Sequence, residues 1–137
     1  MSGFVVDCSL AVTWLFTEEA TPESDGVLSR LASEAAVVPG WWYLELTNVI
    51  ALAERRGRVT VAKSEAFLQA LRRIEIEVDE EGAAQAVTRV LPLCRATGLT
   101  GYDAVYLELA LRRKLPLATL DAALREAARR LGVEVLI

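Results

Sequence analysis

Short apolar runs alternate along the chain with longer stretches in which apolar residues recur every three or four positions. The first run, Phe4–Val6, stops at Asp7, as a short buried strand would. The longer stretches have the period of amphipathic helices. Strands are predicted at residues 4–6, 35–39, 74–79, 115–119 and 133–137, and helices at residues 10–16, 22–33, 41–56, 61–74, 81–96, 102–114 and 122–131. This alternation predicts an α/β fold with a parallel sheet, as a single domain over residues 1–137.

Capping and breaking residues mark several of the predicted ends. Thr21 followed by Pro22 is typical of a helix start, and Gly57 ends the helix over residues 41–56. Pro92 lies inside the helical pattern of residues 81–96 and is expected to kink or divide it. The apolar stripe of the helix over residues 41–56 is predicted to consist of Leu44, Val49, Leu52 and Ala53.

The composition, with 53% hydrophobic and 25% charged residues, is that of a compact globular protein. No apolar run approaches the roughly 20 residues of a membrane span. The first residues lack the basic and apolar regions of a secretory signal, so no membrane association is expected. Cys8 and Cys94 have no metal-ligand spacing and are expected to be reduced, which indicates a cytoplasmic protein.

The chain contains no histidine, which excludes histidine general bases, Ser–His and Cys–His nucleophile pairs and histidine-bound zinc. The net charge of −4 argues mildly against a nucleic-acid partner. That argument weakens if four carboxylates bind cations, because the remaining surface is then near neutral. Basic clusters at predicted helix ends either complement helix dipoles or form a track for phosphates, and they lie at residues 55–58, 72–73, 112–114 and 129–130.

Four acidic residues are candidates for a site because of their positions in the predicted elements. Asp7 and Asp121 follow strands, and Asp103 lies in the first turn of a helix. Glu45 lies near the start of its helix, with Asn48 three residues further on the same face. Each acid also has a simpler interpretation as a helix cap or a solvated surface residue.

These four acids could meet in one cleft, since the carboxyl ends of parallel strands share one edge of the sheet. Clustered carboxylates repel one another, and divalent cations such as Mg²⁺ or Mn²⁺ relieve that repulsion. A metal site of this kind can activate water and stabilise the leaving oxygen of a phosphodiester. Metal-dependent phosphodiester hydrolysis is therefore the reaction that best fits the residues available.

Four segments carry a resemblance to a known family, and they are Val5–Ala11, Glu45–Ile50, Tyr102–Ala110 and Ala118–Asp121. In this order, and spread over essentially the whole chain, they resemble the PIN domain. More narrowly, they resemble the VapC toxins of prokaryotic toxin–antitoxin pairs. The resemblance implies an α/β/α sandwich around a central parallel five-stranded sheet.

The same resemblance implies an endoribonuclease that depends on Mg²⁺ or Mn²⁺ and acts on RNA, often tRNA or rRNA. It further implies a homodimer that is inhibited by a small VapB-like antitoxin, whose C-terminal segment covers the cleft. The matching residues are Asp7, Glu45, Asp103 and Asp121 for the catalytic, metal-binding acidic quartet, and Ser9, Asn48 and Thr119 for the supporting polar positions.

Two other functions stay open at this point. A PIN-like domain could bind RNA or a protein without cleaving anything. A metal-dependent phosphatase or phospho-receiver could use Asp7 as nucleophile, although haloacid-dehalogenase-like phosphatases usually have a second Asp where this chain has Ser9. The aromatic cluster Trp41, Trp42 and Tyr43 either packs in the core or an interface, or contributes a ring that stacks on an RNA base.

Overall fold

A parallel sheet lies at the centre of the computed structural model, which describes residues 3–137. Its strands are β1 (Gly3–Val6), β2 (Ala35–Pro39), β3 (Ile76–Asp79) and β4 (Leu117–Ala118). Within the described residues the sheet has the order β3-β2-β1-β4, with every neighbouring pair parallel. All residues of β1 and β2 are buried, because helices flank a parallel sheet and cover its strands. The predicted α/β fold is confirmed.

Helices connect the strands, and the longest of them lie close to their predicted positions. The helix Gly101–Arg113 packs against β1, β2 and β4 through a continuous buried run, residues 104–110. None of the helices in residues 3–137 has the length and apolar character needed to span a membrane. The helices are α1 (Cys8–Ala11), α2 (Pro22–Arg30), α3 (Trp42–Arg55), α4 (Val61–Leu71), α5 (Glu81–Ala84), α6 (Ala86–Arg89), α7 (Leu91–Thr97), α8 (Gly101–Arg113) and α9 (Ala122–Arg130), with 3₁₀ turns at Val12–Trp14 and Thr17–Glu19.

The predicted fifth strand is reduced to a single bridge. Residues 133–137 run parallel to β4, but the pairing consists of a bridge between Leu117 and Val135. Leu117 N–H donates to the carbonyl of Glu134 at 2.9 Å, and Leu136 N–H donates to the carbonyl of Leu117 at 2.9 Å. The N–H of Leu115 is already bonded to the carbonyl of Ala110 at the end of α8. Because β4 is only two residues long, the described sheet has four strands instead of the predicted five.

The helical pattern of residues 81–96 is divided, as the proline within it predicted. Pro92 lies in the first turn of α7, where its missing N–H costs no intrahelical hydrogen bond. A second break, at Gln85 between α5 and α6, has no proline to explain it. The predicted single helix is therefore three short helices.

The buried face of α3 is rotated from the predicted one. Its buried residues are Trp42, Leu46, Ile50 and Ala53, whereas Leu44 is 72% exposed. Trp42 is fully buried, which places this ring of the aromatic cluster in the core. The neighbouring Trp41 contacts the rings of Tyr102 and Tyr106 edge-on, at centroid distances of 5.4 and 5.9 Å.

Candidate active site

The carboxyl ends of β1 and β4 lie side by side and bring two sequence-predicted residues together. Val6 pairs with Ala118, and the N–H of Asp7 donates to the carbonyl of Ala118 at 3.0 Å. Asp7 therefore follows β1 at the same level at which Thr119 follows β4. Asp7 also serves as the N-cap of α1, since its side chain accepts a hydrogen bond from the N–H of Ser9.

The carboxylate of Asp7 is buried, at 5% exposure, and two hydroxyl groups hold it in place. Thr119 Oγ1 donates to Oδ2 at 2.6 Å, and Ser9 Oγ donates to the same oxygen at 2.8 Å. Oδ1 accepts only the longer bond from Ser9 N–H, at 3.4 Å, among the contacts of the described residues. This oxygen is therefore the less occupied one and the better placed to bind a cation.

The same two hydroxyls also fix the segment that carries Asp121. Ser9 Oγ accepts from Leu120 N–H at 3.3 Å, and Thr119 Oγ1 accepts from Asp121 N–H at 3.0 Å. Asp121 in turn caps α9 by accepting from Leu124 N–H at 2.8 Å. Ser9 and Thr119 thus link the two strand ends on which these acids lie.

Asp103 and Glu45 reach this edge from two helices. Asp103 lies in the first turn of α8, which begins after the N-cap Thr100. Glu45 lies one turn into α3, where its Oε1 accepts a hydrogen bond from the Tyr106 hydroxyl at 2.8 Å. That hydroxyl accepts a bond from Cys8 N–H at 3.4 Å. Tyr106 therefore connects the helix of Glu45 to the residue that follows Asp7.

A cavity of about 320 Å³ brings all four predicted acids onto one surface. Asp7 and Asp121 therefore line the cavity in addition to capping α1 and α9. Asn48, the predicted supporting residue, is exposed on α3 and is not part of this cavity wall. The cavity is lined by Asp7, Cys8, Ser9, Val12, Phe16, Glu19, Glu45, Val49, Arg58, Asp103 and Asp121.

Burial and mutual repulsion favour the protonated forms of three of these acids. Burial raises the pKa of Asp7 against the opposing hydroxyl bonds, and the charge of Asp121 adds to the rise. Burial also raises the pKa of Glu45, with further contributions from the charges of Asp7 and Asp103. The pKa of Asp103 is raised by burial first and then by Asp121 and Asp7. Such a cluster gains stability when cations neutralise it.

The donor chemistry fits a hard divalent cation such as Mg²⁺ or Mn²⁺. In residues 3–137, no three acidic or cysteine side chains are grouped so as to hold a metal ion between them as they stand. Mg²⁺ does not need such a cage, because it usually keeps several waters and binds through one or two carboxylates. Asp7 and its acidic neighbours would meet that requirement, and water would complete the coordination.

Sequence reasoning missed several residues of this site. Tyr106 is one turn beyond Asp103 on α8, and that spacing of three was a signal that both face the same side. Arg58 belongs to one of the basic clusters at predicted helix ends, and Glu19 has no role predicted from the sequence. Neither could be assigned to the cavity, because no local pattern connects residue 58 with residue 19.

Residues 4–130 of the chain match the family described as the PIN domain. The chain belongs to the PIN domain family. The prediction made from the four sequence motifs is thereby confirmed at the level of the family. Among curated proteins, no sequence matches that of this PIN domain.

Solved structures with the same fold include three that cover nearly the whole PIN domain. PAE2754 from Pyrobaculum aerophilum has 23% identity and a TM-score of 0.70, and the match covers 98% of this chain and 84% of that one. A toxin–antitoxin complex from Klebsiella pneumoniae has 19% identity, a TM-score of 0.64 and 98% coverage of both chains. VapBC2 from Rickettsia felis, bound to a DNA fragment from its promoter, has 12% identity, a TM-score of 0.62 and coverage of 96% and 95%. At these identities the likeness is one of fold.

Proposed function

We propose that this PIN domain is an endoribonuclease that hydrolyses RNA phosphodiester bonds with the help of Mg²⁺ or Mn²⁺. The observation that carries the proposal is the convergence of Asp7, Glu45, Asp103 and Asp121 on one cavity, from two strand ends and two helices. Raised pKa values in three of these acids add support, because a cation would offset the burial and the mutual repulsion that raise them.

Asp7 and one of the other three carboxylates would bind the metal directly, and the remaining acids would bind it through the waters that fill its open coordination positions. When bound, the metal would lower the pKa of a coordinated water and stabilise the leaving oxygen. Ser9 and Thr119 would keep the carboxylate of Asp7 in one orientation through their two hydrogen bonds. Glu45 would position the attacking water or bind metal, and Tyr106 would hold Glu45 in place.

We further propose that the protein is the toxin of a toxin–antitoxin pair, with a small VapB-like antitoxin as partner. Support comes from the Klebsiella pneumoniae and Rickettsia felis structures, whose names describe toxin–antitoxin assemblies. A homodimer, a cytoplasmic location and tRNA or rRNA as target are parts of the same proposal. The mass of the purified protein in solution tests the dimer directly.

Cleavage of RNA with and without divalent cations tests the proposed activity. We expect Mn²⁺ or Mg²⁺ to support cleavage, a chelator to stop it, and Asp7→Asn to abolish it while the circular dichroism spectrum of the fold is kept. Isothermal titration with Mn²⁺ should give binding to the parent protein and weaker binding to Asp7→Asn.

The alternative function is a PIN-like module that binds RNA or a protein without cleaving it. It would be favoured if Mn²⁺ did not bind at millimolar concentration, or if Asp7→Asn cut RNA as fast as the parent. Trapping a phosphate on Asp7 would instead favour the phosphatase or phospho-receiver interpretation.

A further inference from the structure

Arg58 brings a positive charge to a cavity wall that is otherwise dominated by carboxylates. Among the described residues that line this cavity, Arg58 is the only cation, and five line it with a carboxylate. Its position is set by the end of α3, where Gly57 adopts a positive φ of 69°. The N–H of Arg58 then donates back to the carbonyl of Ala53 at 2.9 Å. The backbone of Arg58 is thus held by the helix end.

The side chain of Arg58 is held on the cavity wall by an aromatic ring and an acid. Its Cζ lies 3.9 Å from the centroid of the Phe16 ring. Its Nη2 lies 3.0 Å from Glu19 Oε1 and 3.8 Å from Glu18 Oε1. Stacking on an aromatic face leaves the edge of a guanidinium free to form hydrogen bonds in its plane. Both ion pairs within the described residues use Nη2, so Nε and Nη1 have no ion-pair partner there.

The ion pair with Glu19 is a weak one that a better ligand can replace. Both side chains are about half exposed, at 48% for Arg58 and 44% for Glu19. Ion pairs exposed to this degree stabilise folded proteins little. A phosphate group accepts two parallel N–H bonds from one edge of a guanidinium, which makes it a stronger partner than one carboxylate oxygen.

We propose that Arg58 binds a phosphate group of the RNA beside the scissile bond, and that Glu19 competes with this phosphate for the guanidinium. This inference rests on the proposed ribonuclease function and names the residue that contacts the substrate backbone. Arg58 therefore raises the affinity of the protein for RNA, and Glu19 lowers that affinity.

Substitutions on the two sides of the ion pair distinguish this role from a structural one. If the ion pair only fastened the 3₁₀ turn at Thr17–Glu19 to the end of α3, Arg58→Gln and Glu19→Gln would have the same effect. If Arg58 binds phosphate, the two variants have opposite effects. In a third case, Arg58 only neutralises the charge of Glu19. The double variant with both substitutions identifies this case, because it would then bind RNA as the parent does.

The experiment measures kcat and KM for cleavage of a short single-stranded RNA with Mn²⁺. It also measures the Kd of the same labelled RNA by fluorescence anisotropy in the Asp7→Asn background, over a range of salt concentrations. We expect Arg58→Gln to raise KM and Kd by roughly tenfold, as loss of a charged hydrogen bond does. The slope of log Kd against the logarithm of the salt concentration should decrease in magnitude by about 0.7, the value for one phosphate contact on a single strand.

Glu19→Gln is expected to lower KM and Kd, and the double variant to bind as weakly as Arg58→Gln. Arg30→Gln is the matched control, because Arg30 pairs with Glu34 at 2.7 Å and lies over the Phe4 ring but does not line the cavity. The inference is overturned if Glu19→Gln weakens binding, if the double variant recovers parental affinity, or if Arg58→Gln equals Arg30→Gln. A parent that binds RNA without cutting it would refute the proposed activity, while the anisotropy data would still decide the role of Arg58.

Discussion

At the scale of single residues, Asp7 combines a structural position with an unfavourable charge. Its carboxylate is buried at the end of β1, and burial raises its pKa although two hydroxyls donate to it. Ser9 and Thr119 both donate to Oδ2, so an asparagine oxygen can accept both bonds in the same position. Only the long bond to Oδ1 would be lost. The ionised form of Asp7 therefore has a cost in stability, and we propose that its charge is kept for the metal site, since active-site residues often reduce stability.

Asp7→Asn is accordingly expected to stabilise the metal-free protein. Loss of a buried charge near Glu45 and Asp103 should raise Tm at neutral pH by about 2–8 °C, the range that about 1 kcal/mol produces in domains of similar size. Thermal denaturation in the presence of a chelator measures this. Added Mn²⁺ should raise the Tm of the parent and leave that of Asp7→Asn nearly unchanged. A metal-free variant that melts below the parent would mean that the Asp7 charge stabilises the fold.

The Tyr106 hydroxyl favours the ionised form of Glu45, against the larger effect of burial. The hydroxyl of Tyr106 donates to Glu45 Oε1 at 2.8 Å, and this bond lowers the pKa of a carboxyl that burial raises. Tyr106→Phe should therefore raise the pKa of Glu45 further. We expect Mn²⁺ affinity to fall most at low pH, and the acidic limb of the cleavage profile to move to higher pH.

Titration of Mn²⁺ against pH for both proteins measures the effect of this hydroxyl. Tyr102→Phe is the matched control, because Tyr102 is exposed on the same helix and its ring contact with Trp41 needs no hydroxyl. If the two variants have the same pH profile, Tyr106 has no role in setting the protonation of Glu45.

At the scale of elements, the sequence predicted the buried strands best. β1 and β2 are short apolar runs with clear ends, and their positions follow from composition alone. The rotation of α3 could not be seen, because Leu44 and Leu46 are equally apolar and only packing against the sheet decides which is buried. The predicted strand over residues 133–137 is shorter in the structure because its pairing also depends on the neighbouring element. Its five residues form a largely apolar run typical of a strand. In β4, however, only Leu117 turns its N–H and its carbonyl towards this segment, so the pairing stops at one bridge.

An ion network joins the end of β3 to α5 and α8. Arg112 donates to Asp79 at 2.6 Å, to Glu108 at 2.7 Å and to Glu81 at 3.1 Å. Burial raises the pKa of Asp79, but the hydrogen bonds from Arg112 and Gly82 outweigh it and hold that pKa below its usual range. Asp79 therefore stabilises the fold above its unfolded pKa, and this contribution is lost as pH falls through the folded value.

Arg112→Met should leave Asp79 and Glu108 buried without their main cation. We expect a loss of about 3 kcal/mol in the free energy of unfolding at neutral pH, as for other broken buried pairs. The loss should shrink as acid protonates Asp79. Urea denaturation at several pH values measures it, with Arg30→Met as a control expected to cost less than about 1 kcal/mol. Equal losses in both variants would mean that the network contributes no more than an exposed pair.

At the scale of the whole molecule, the parallel sheet brings the acids together. Asp7 and Asp121 were predictable as neighbours, because both follow parallel strands and the ends of such strands share an edge. Glu45 and Asp103 are predicted from their residue type, their helix position and the family resemblance, and their approach to that edge depends on how α3 and α8 pack. That packing is a tertiary property, since Trp42 and the buried run over residues 104–110 fix the two helices against the sheet. Asn48, predicted from its spacing and from the family resemblance, lies outside the cavity wall.

The protein has a net charge of −4, and the clustering of acids in its cavity should make the metal-free fold less stable as pH rises. A bound divalent cation should reverse this trend. The pKa values of Asp7, Glu45 and Asp103 are raised in the folded state. Between the unfolded and folded values, the folded protein holds protons that the unfolded chain has released. These three groups therefore stabilise the metal-free fold below their unfolded pKa values, and the stabilisation is lost as pH rises through the folded ones.

Divalent cations compete with those same protons, so metal affinity should increase with pH as the acids ionise. We expect the stabilisation that Mn²⁺ produces to grow with rising pH as the acids ionise, reaching roughly 2.7 kcal/mol in the free energy of unfolding when the metal is at a hundred times its Kd. Asp103→Asn should reduce this gain, whereas Glu23→Gln, an exposed acid in the first turn of α2, should not. A gain that is independent of pH, or equal in both variants, would mean that Mn²⁺ binds elsewhere on the acidic surface and that the four acids of the cavity do not form its site.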